Sequence, residues 1–274
     1  MPLRLANYAD LPRISEILAA AFYDEQLNDY FFPHRRQYPD DYVRAWHHNV
    51  VEKWWNYDSI WLVNYEHADG KRDEVVGVAQ WCRAGAGSEA LWGLRSWDPE
   101  WFISPVVSYF HLVHRFIFGN RSMGKPSASD AKPTRKWDFG RTIWPFISRH
   151  FRDPIHRQNH WELGLLGVDP HHQGRGLGGE LVAWGVQRAK DDGLPAVVIT
   201  AAGTEKFYRR CGFEIYVGAC PDEDMVIDEK ARDGEGMERK TIANPLKQRG
   251  IGGGGIFWTR HAADQERLPV ESQS

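Results

Sequence analysis

A run of glycines after a short apolar stretch is the feature of this sequence that most directly suggests chemistry. The run is Gln173-Gly174-Arg175-Gly176-Leu177-Gly178-Gly179, and it follows Val168-Asp169-Pro170. Glycine lets a ligand come close to the backbone, and free amides at the start of a helix bind phosphate with help from the helix dipole. No Ser, Thr, Asp or Asn lies in the run to cap those amides. The run therefore predicts a phosphate-binding turn, to which Arg175 adds a positive charge.

Two other interpretations of the same glycines remain open. Gly174, Gly176 and Gly179 match G-x-G-x-x-G, the pattern of dinucleotide-binding oxidoreductases. Against that interpretation, residues 169–173 make a long connection before the first glycine. The next predicted strand also ends in Thr200-Ala201-Ala202, with no acidic residue for a ribose. A purely structural glycine turn is the second alternative.

A second segment, Phe207-Tyr208-Arg209-Arg210-Cys211-Gly212-Phe213, lies one predicted helix, strand and loop further on. Together the two segments resemble the signatures Q/R-x-x-G-x-G/A and F/L-Y-x-x-x-G-F of the GCN5-related N-acetyltransferase (GNAT) superfamily. The resemblance covers residues 3 to about 227 and implies an α/β fold, with a mixed, mostly antiparallel central sheet flanked by helices. It implies acetyl-CoA as co-substrate. The sequence departs from the family in a long insert between the third and fourth strands, so no subfamily is assigned.

The resemblance assigns the acetyl-CoA contacts to one strand and the turn that follows it. In this family the strand before the turn separates from its neighbour, and its backbone binds the pantetheine arm. That implies contacts from Leu166, Gly167 and Val168, with the Val168 amide polarising the thioester carbonyl. The pyrophosphate would bind to the run Gln173, Gly174, Arg175, Gly176, Leu177, Gly178 and Gly179. Ordinary strand packing of residues 166–168 is the alternative, and it is compatible with backbone binding.

Two side chains correspond to catalytic residues of the family. Tyr208 matches the tyrosine that protonates the leaving thiolate; its alternative is aromatic packing. Glu162 lies eleven residues before Gln173, the offset of the catalytic glutamate in histone-type members, and would take a proton from the amine. Its alternatives are a solvated strand position or a buried acid paired with an arginine. An amine that arrives neutral would need no dedicated base.

The acceptor side is less well defined. Asp24 and Glu25 follow the first predicted helix, at a loop that borders the acceptor pocket in the family, and two carboxylates could attract a cationic amine. A solvated loop is the alternative. The histidines, including His171-His172 and His47-His48, form no convincing set with cysteines or carboxylates, so we expect no metal.

Composition excludes several classes of protein. The net charge is -3 and the pI about 6.5, which gives no basic excess for nucleic acid or an anionic membrane. The start of the chain lacks the pattern of a secretory signal. The longest apolar run, 101–118, contains His111, His114 and Arg115 and does not suit a membrane span. Three cysteines argue against a disulfide framework, so we expect a cytoplasmic protein.

The order of predicted elements suggests one acyltransferase domain over residues 1–232, with the insert at 84–159. A polar, Gly-rich tail at 233–274 is expected to be mostly disordered. Aromatic residues of the insert could cover the acceptor site, or form a separate core or a dimer contact. These residues are Trp101, Phe102, Tyr109, Phe110 and Phe116.

These observations lead to one expected function. The chain would transfer an acetyl group from acetyl-CoA to a primary amine of a small molecule, by direct attack in a ternary complex. A catalytically silent acyl-CoA-binding module and an enzyme acting on a protein or peptide amine remain alternatives. We expect no nucleic-acid or membrane partner and a monomer or homodimer.

Overall fold

The computed structural model describes residues 2–67, 73–86, 100–123, 139–230 and 237–265. The strands are β1 (Leu3–Leu5), β2 (Ser59–Glu66), β3 (Glu74–Ala84), β4 (His160–Val168), β5 (Ala196–Thr200), β6 (Phe213–Ala219), β7 (Met225–Lys230), β8 (Met237–Ile242) and β9 (Gly255–Thr259). The helices are α1 (Leu11–Ala21), α2 (Gln26–Phe31), α3 (Pro39–Trp54), α4 (Glu100–Phe118), α5 (Phe139–Ile147), α6 (Leu177–Asp191), α7 (Glu205–Arg210), α8 (Pro245–Gln248) and α9 (Ala262–Gln265).

The central sheet has seven strands in the order β1-β2-β3-β4-β5-β9-β6. Neighbours from β1 to β4 are antiparallel, β4 and β5 are parallel, and β6 and β9 are antiparallel. Helices α4 and α5 lie between β3 and β4 in the chain. The predicted fold class, a mixed and mostly antiparallel sheet flanked by helices with a helical insert after the third strand, is confirmed.

The chain divides into two compact units. The first comprises Met1–Trp137 and Asn159–Val198, and the second comprises Asp138–Gln158 and Ile199–Ser274. The second unit thus joins residues of the insert and of the tail with the chain from Ile199 onward, and the single acyltransferase domain over residues 1–232 stays a prediction.

In the first unit, helices cover both faces of strands β1 to β4. Helix α1 buries Leu11, Ile14 and Leu18 at helical spacing, in a core shared with Trp46 of α3 and Val78 of β3. Full burial of such side chains contributes roughly 1.5–3 kcal/mol each. This face, which carries α1 and α3, is called the α1 face below.

Helix α6 covers the opposite face of the same strands, called the α6 face below. Trp81 of β3 is fully buried there and its indole N–H donates to the Leu181 carbonyl over 3.2 Å. A Cβ on Gly185 would lie 1.9 Å from the Trp81 ring. Gly185 is therefore required because the helix packs directly on the indole.

The second unit contains β9, which the sequence placed in a disordered tail. The five residues of β9 are all buried, and they pair with β6. The Gly254 amide donates to the Thr200 carbonyl over 2.8 Å, and Gly253 and Gly254 both have positive φ and lie against Ala202 and Cys220. The expectation of disorder therefore does not hold for residues 255–259. The four glycines from 252 to 255 form a tight connection into the sheet.

The insert exposes aromatic side chains on α4. Tyr109 is 63% exposed and Phe110 is 65% exposed, so these two do not form a covered lining. The side chains of Trp101, Phe102 and Phe116 lie outside the described residues. None of the described helices combines the length and apolar character that crossing a membrane requires.

Candidate functional site

The glycine run forms a left-handed turn that leads directly into α6. Gly174 has φ +78° and Gly176, the N-cap of α6, has φ +84°. Residues with a Cβ adopt this region only at a cost of roughly 1 kcal/mol or more. Apart from the neighbouring residues of the chain and the helix backbone, no described atom lies within 4 Å of a Cβ built on Gly174, Gly176 or Gly179. The turn is therefore open on the side where a side chain would stand.

The start of α6 is available to an anion. No side chain of the described residues caps the helix at Gly176, and residues 173–176 are exposed while Leu177 is buried. The first amides of a helix carry partial positive charge and require acceptors. An exposed, uncapped turn of this shape can bind a phosphate group, as the sequence predicted.

Side chains on both sides fix the turn in place. Asp169 is buried, accepts from the His171 amide over 2.8 Å and forms an ion pair with Arg13 of α1. Burial alone would raise the pKa of Asp169, but the His171 amide and Arg13 outweigh it and the pKa is lowered. The Gln173 side-chain amide donates to the Val168 carbonyl over 3.1 Å. These contacts tie the turn to the end of β4.

Arg175 is not a free cation in this structure. Its guanidinium bonds the carboxylate of Glu66, at the end of β2, over 2.8 Å. His172 lies between Glu66 and Asp169, at 3.5 Å and 3.6 Å from their oxygens. Binding of a phosphate by the Arg175 side chain would have to compete with Glu66, whereas the backbone amides carry no such restraint.

Strand β4 separates from β5 before the turn. Their register pairs run from Trp161 with Ala196 to Leu163 with Val198, and no further pair joins these two fully described strands. Beyond Leu163, Gly164 is exposed and Leu165 and Leu166 are half-buried. The residues named for pantetheine contact, Leu166, Gly167 and Val168, thus lie on an edge of β4 that β5 does not pair.

A β-bulge in β4 lies at the point of separation. Gln80 pairs with Leu165 and Trp81 with Leu163, so Gly164 is the extra residue. Because the bulge shifts the alternation, Leu163 and Leu165 lie on opposite faces of the sheet. Gly167, whose Cβ would lie 3.0 Å from Leu18 of α1, shares the α1 face with Leu165.

Glu162 lies on the α1 face, opposite Cys82 of β3. The Glu162 side chain is half-buried, and loss of solvation raises the pKa of its carboxyl, while Lys53 of α3 opposes that shift. Desolvation also raises the pKa of the Cys82 thiol to about 12, with Glu162 adding to the effect. A carboxyl with a raised pKa suits proton transfer near neutral pH. The thiol stays protonated and is a poor nucleophile.

Asp24 and Glu25 occupy different environments. The Asp24 side chain is 84% exposed and lies 3.7 Å from the exposed Arg36, as expected for a solvated loop. Glu25 is half-buried, and desolvation raises its pKa to about 7. Burial raises the pKa of the Tyr42 phenol, and the nearby Glu25 carboxylate adds to that effect. Of the two predicted substrate-binding residues, Glu25 is half-buried and Asp24 is exposed.

Tyr208 belongs to the second unit, on α7. It is 8% exposed and packs edge-to-face with Phe207 and Phe213, with ring centroids 5.0 and 6.0 Å away. The aromatic packing that the sequence offered as the alternative is therefore present. The role of Tyr208 as an acid stays a prediction.

Two further observations complete the site. In the part of the chain that the structure describes, no group of three or more His, Cys, Asp or Glu side chains could hold a metal ion. The sequence alone did not single out Gln80, which is buried on the α1 face beside Gly164. The available signal was a lone amide in the apolar run 75–81.

Comparison with known proteins agrees with this geometry. Residues 141–213 match the model of the Acetyltransferase (GNAT) family. A crystal structure of histone acetyltransferase HPA2 and related acetyltransferase from Corynebacterium glutamicum ATCC 13032 is 18% identical, with a TM-score of 0.51. That match covers 98% of this chain and 97% of the other.

A GNAT family acetyltransferase from Brucella melitensis, in complex with acetyl-CoA, is 16% identical with a TM-score of 0.36. That match covers 78% of this chain and 92% of the other. The fold likeness rests on the Corynebacterium glutamicum structure, and the family on residues 141–213. The resemblance predicted from the sequence is therefore confirmed at residues 141–213, which match the GNAT family model, and the subfamily is not determined.

Proposed function

We propose that this protein transfers an acetyl group from acetyl-CoA to a primary amine of a small molecule. The observation that carries the proposal is the open, uncapped turn at residues 173–179, which follows the unpaired edge of β4. A diphosphate on the turn would place an attached pantetheine arm along residues 166–168. This arrangement suits coenzyme A better than a dinucleotide, because β5 ends at Thr200 and is followed by Ala201-Ala202 and not by the acidic residue that would bind a ribose.

The proposed reaction is a direct transfer between two bound substrates. The amine nitrogen attacks the thioester carbonyl carbon, the carbon–sulfur bond breaks, and coenzyme A leaves as a thiolate that takes up a proton. Glu162 would accept the proton that the nitrogen loses, and Tyr208 would supply the proton for the sulfur. The Val168 amide would stabilise the negative charge that develops on the carbonyl oxygen.

The choice of a small acceptor over a protein or peptide rests on two carboxyl groups. Glu25 and Glu162 are half-buried carboxyls with raised pKa values. Partly desolvated carboxyls suit the recognition of one amino group, since a desolvated charge interacts strongly at short range. The exposed Tyr109 and Phe110 do not contribute to this argument. A cytoplasmic location remains an expectation from the composition.

Two measurements test the proposal. Acetyl-CoA should raise the melting temperature of the purified protein and NADPH should not, because a ligand that binds only the folded state stabilises it by mass action. A panel of amines with acetyl-CoA should then release coenzyme A thiol in proportion to N-acetylated product. Stabilisation by acetyl-CoA without turnover of any amine would favour the silent binding module. Stabilisation by NADPH alone would reject the proposal.

A further inference from the structure

The ion pair between Arg175 and Glu66 ties the cationic side chain of the glycine turn to a different part of the sheet. Arg175 lies within the turn, between Gly174 and Gly176, and Glu66 is the last residue of β2, 109 residues earlier. The Arg175 Nη1 atom donates to Glu66 Oε1 over 2.8 Å, and the two side chains are 52% and 37% exposed. The contact therefore neutralises the side-chain cation beside the proposed diphosphate site.

This ion pair can open at little cost. An exposed pair of this kind contributes little to stability, because water screens both charges. The bond to Glu66 uses one of the five N–H donors of the guanidinium, and the described residues provide no other hydrogen bond to that group. Gly174 and Gly176 have no side chains to restrict its movement. Arg175 is thus held by a single solvent-screened contact.

The Glu66 carboxylate has a second neighbour that stays in place if Arg175 moves. Its Oε2 atom lies 3.5 Å from Nε2 of His172, whose side chain is only 17% exposed. The other ring nitrogen of His172 lies 3.6 Å from Asp169. The imidazole therefore lies between two carboxylates, and loss of the Arg175 bond does not isolate Glu66.

A diphosphate bound at the turn would attract Arg175 away from Glu66. It carries more negative charge and more acceptor oxygens than a carboxylate, and a guanidinium binds phosphate oxygens with two parallel N–H donors. The Glu66 carboxylate would also repel the diphosphate. Both effects have the same sign, so Glu66 favours the free protein over the complex.

We propose that Glu66 is a competing anion that restrains Arg175 in the free protein, and that coenzyme A binds with exchange of Arg175 from Glu66 to the diphosphate. The proposal rests on the coenzyme A site proposed above and adds to it a residue of β2 that weakens binding. Coenzyme A is also the product of the proposed transfer, and re-formation of the ion pair assists its release. A Glu66 that instead oriented Arg175 toward the diphosphate would strengthen binding, so the two roles differ in sign.

Isothermal titration with coenzyme A measures that sign in the parent, Glu66→Gln, Arg175→Met and the double variant. Glu66→Gln keeps the size of the side chain and removes its charge, and it should lower the Kd about two- to fivefold, as expected for release of an exposed ion pair. Arg175→Met should raise the Kd about three- to tenfold. In the Arg175→Met background, Glu66→Gln should have little effect, because the two substitutions remove one shared interaction.

Glu74 provides the matched control. It is paired with Glu66 across β2 and β3, but it contacts Arg13 at 3.4 Å and not Arg175. Glu74→Gln makes the same charge change on the neighbouring strand, and Arg13 keeps its ion pair with Asp169. The Kd for coenzyme A should stay within about 1.5-fold of the parent, because salt screens exposed charges that are not in contact.

Dephospho-coenzyme A, which lacks the 3′-phosphate, separates two possible acceptors for Arg175. The effect of Glu66→Gln, and its dependence on Arg175, should be the same with both ligands. An effect that disappears with dephospho-coenzyme A would place Arg175 on the 3′-phosphate and overturn the exchange with the diphosphate. Thermal unfolding of each variant without ligand should stay within about 2 °C of the parent, since the pair is exposed.

The outcomes separate the two proposals. A parent that does not bind coenzyme A refutes the proposed function, and the role of Glu66 fails with it. A parent that binds coenzyme A while Glu66→Gln binds it more weakly makes Glu66 a positioning residue and overturns the competition. An unchanged Kd in Glu66→Gln, or a tightening that persists without Arg175 or is matched by Glu74→Gln, likewise refutes the role of Glu66 alone.

Discussion

Replacing Gly176 by alanine separates backbone strain from ligand binding at the turn. Gly176 has φ +84°, and a Cβ there would meet no described atom within 4 Å. The substitution therefore causes no clash in the free protein, and its cost is conformational. An alanine in the left-handed region is less stable by roughly 1–2 kcal/mol. For a chain of this size that corresponds to a fall in melting temperature of roughly 2–8 °C.

The effect on coenzyme A binding should be larger and separable. The methyl group would occupy the open side of the turn, at the position proposed for the diphosphate. Loss of one charge-assisted hydrogen bond costs roughly 1.5–3 kcal/mol, so the Kd for coenzyme A should rise about ten- to a hundredfold. Isothermal titration calorimetry measures that Kd, and differential scanning fluorimetry measures the stability.

The other end of the same helix supplies the control. Gly193 follows α6, has φ +66°, and likewise has no described atom within 4 Å of a built Cβ. Gly193→Ala should cost a similar free energy of unfolding and leave the Kd for coenzyme A unchanged. If both variants bind coenzyme A with the parental Kd, the turn does not bind the diphosphate and the reasoning is refuted.

Three further variants test other parts of the structure. Gly185→Ala should lower the free energy of unfolding by roughly 3 kcal/mol or more, because its methyl would lie 1.9 Å from Trp81. Its melting temperature should therefore be lower than that of Gly193→Ala, and equal melting temperatures would contradict this packing. Glu25→Gln should leave stability unchanged at pH 4, where folded and unfolded carboxyls are protonated. The pKa of the Glu25 carboxyl is about 7 in the folded protein against an ordinary 4.5, so the stability of the parent should fall as the pH rises from 4.5 to 7. The variant should therefore be more stable than the parent by about 1–3 kcal/mol at pH 8.5. Denaturation at both pH values checks the sign, and a gain of equal size at pH 4 would exclude desolvation as its cause. Tyr208→Phe should lower kcat about a hundredfold with the KM for acetyl-CoA unchanged; a parental kcat would remove Tyr208 from the reaction.

The parts of the site that the sequence predicted well depend on local structure. The turn and the start of α6 follow from the glycines between Gly174 and Gly179, because positive φ and missing caps are properties of neighbouring residues. The strand that precedes the turn was also predicted from its own residues. Long-range contacts were not predictable in this way. Glu66, which bonds Arg175, lies 109 residues away in the chain.

Strand β9 illustrates a second limit. Residues 255–259, Gly-Ile-Phe-Trp-Thr, have good strand-forming composition. Their place beside glycine-rich sequence made a flexible tail the simpler interpretation. The glycines are explained by contacts with Ala202 and Cys220, which are distant in sequence and close in the second unit. A run of glycines has the same composition whether it is a linker or a tight connection, and only its tertiary neighbours distinguish the two.

The bulge at Gly164 explains why the acceptor face could not be assigned from the sequence. Strict alternation along β4 would place Leu163, Leu165 and Gly167 on one face, and Glu162 on the other with Leu166. The extra residue reverses the second half of the strand, so Leu165 and Gly167 join Glu162 on the α1 face. The same residue interrupts pairing where β4 separates from β5 and leaves an exposed glycine beside the Gln80 amide. One inserted glycine thus sets which side chains reach the proposed amine site. The position of that glycine depends on pairing between β4 and β3, and its neighbour Gln80 lies 84 residues earlier in the chain.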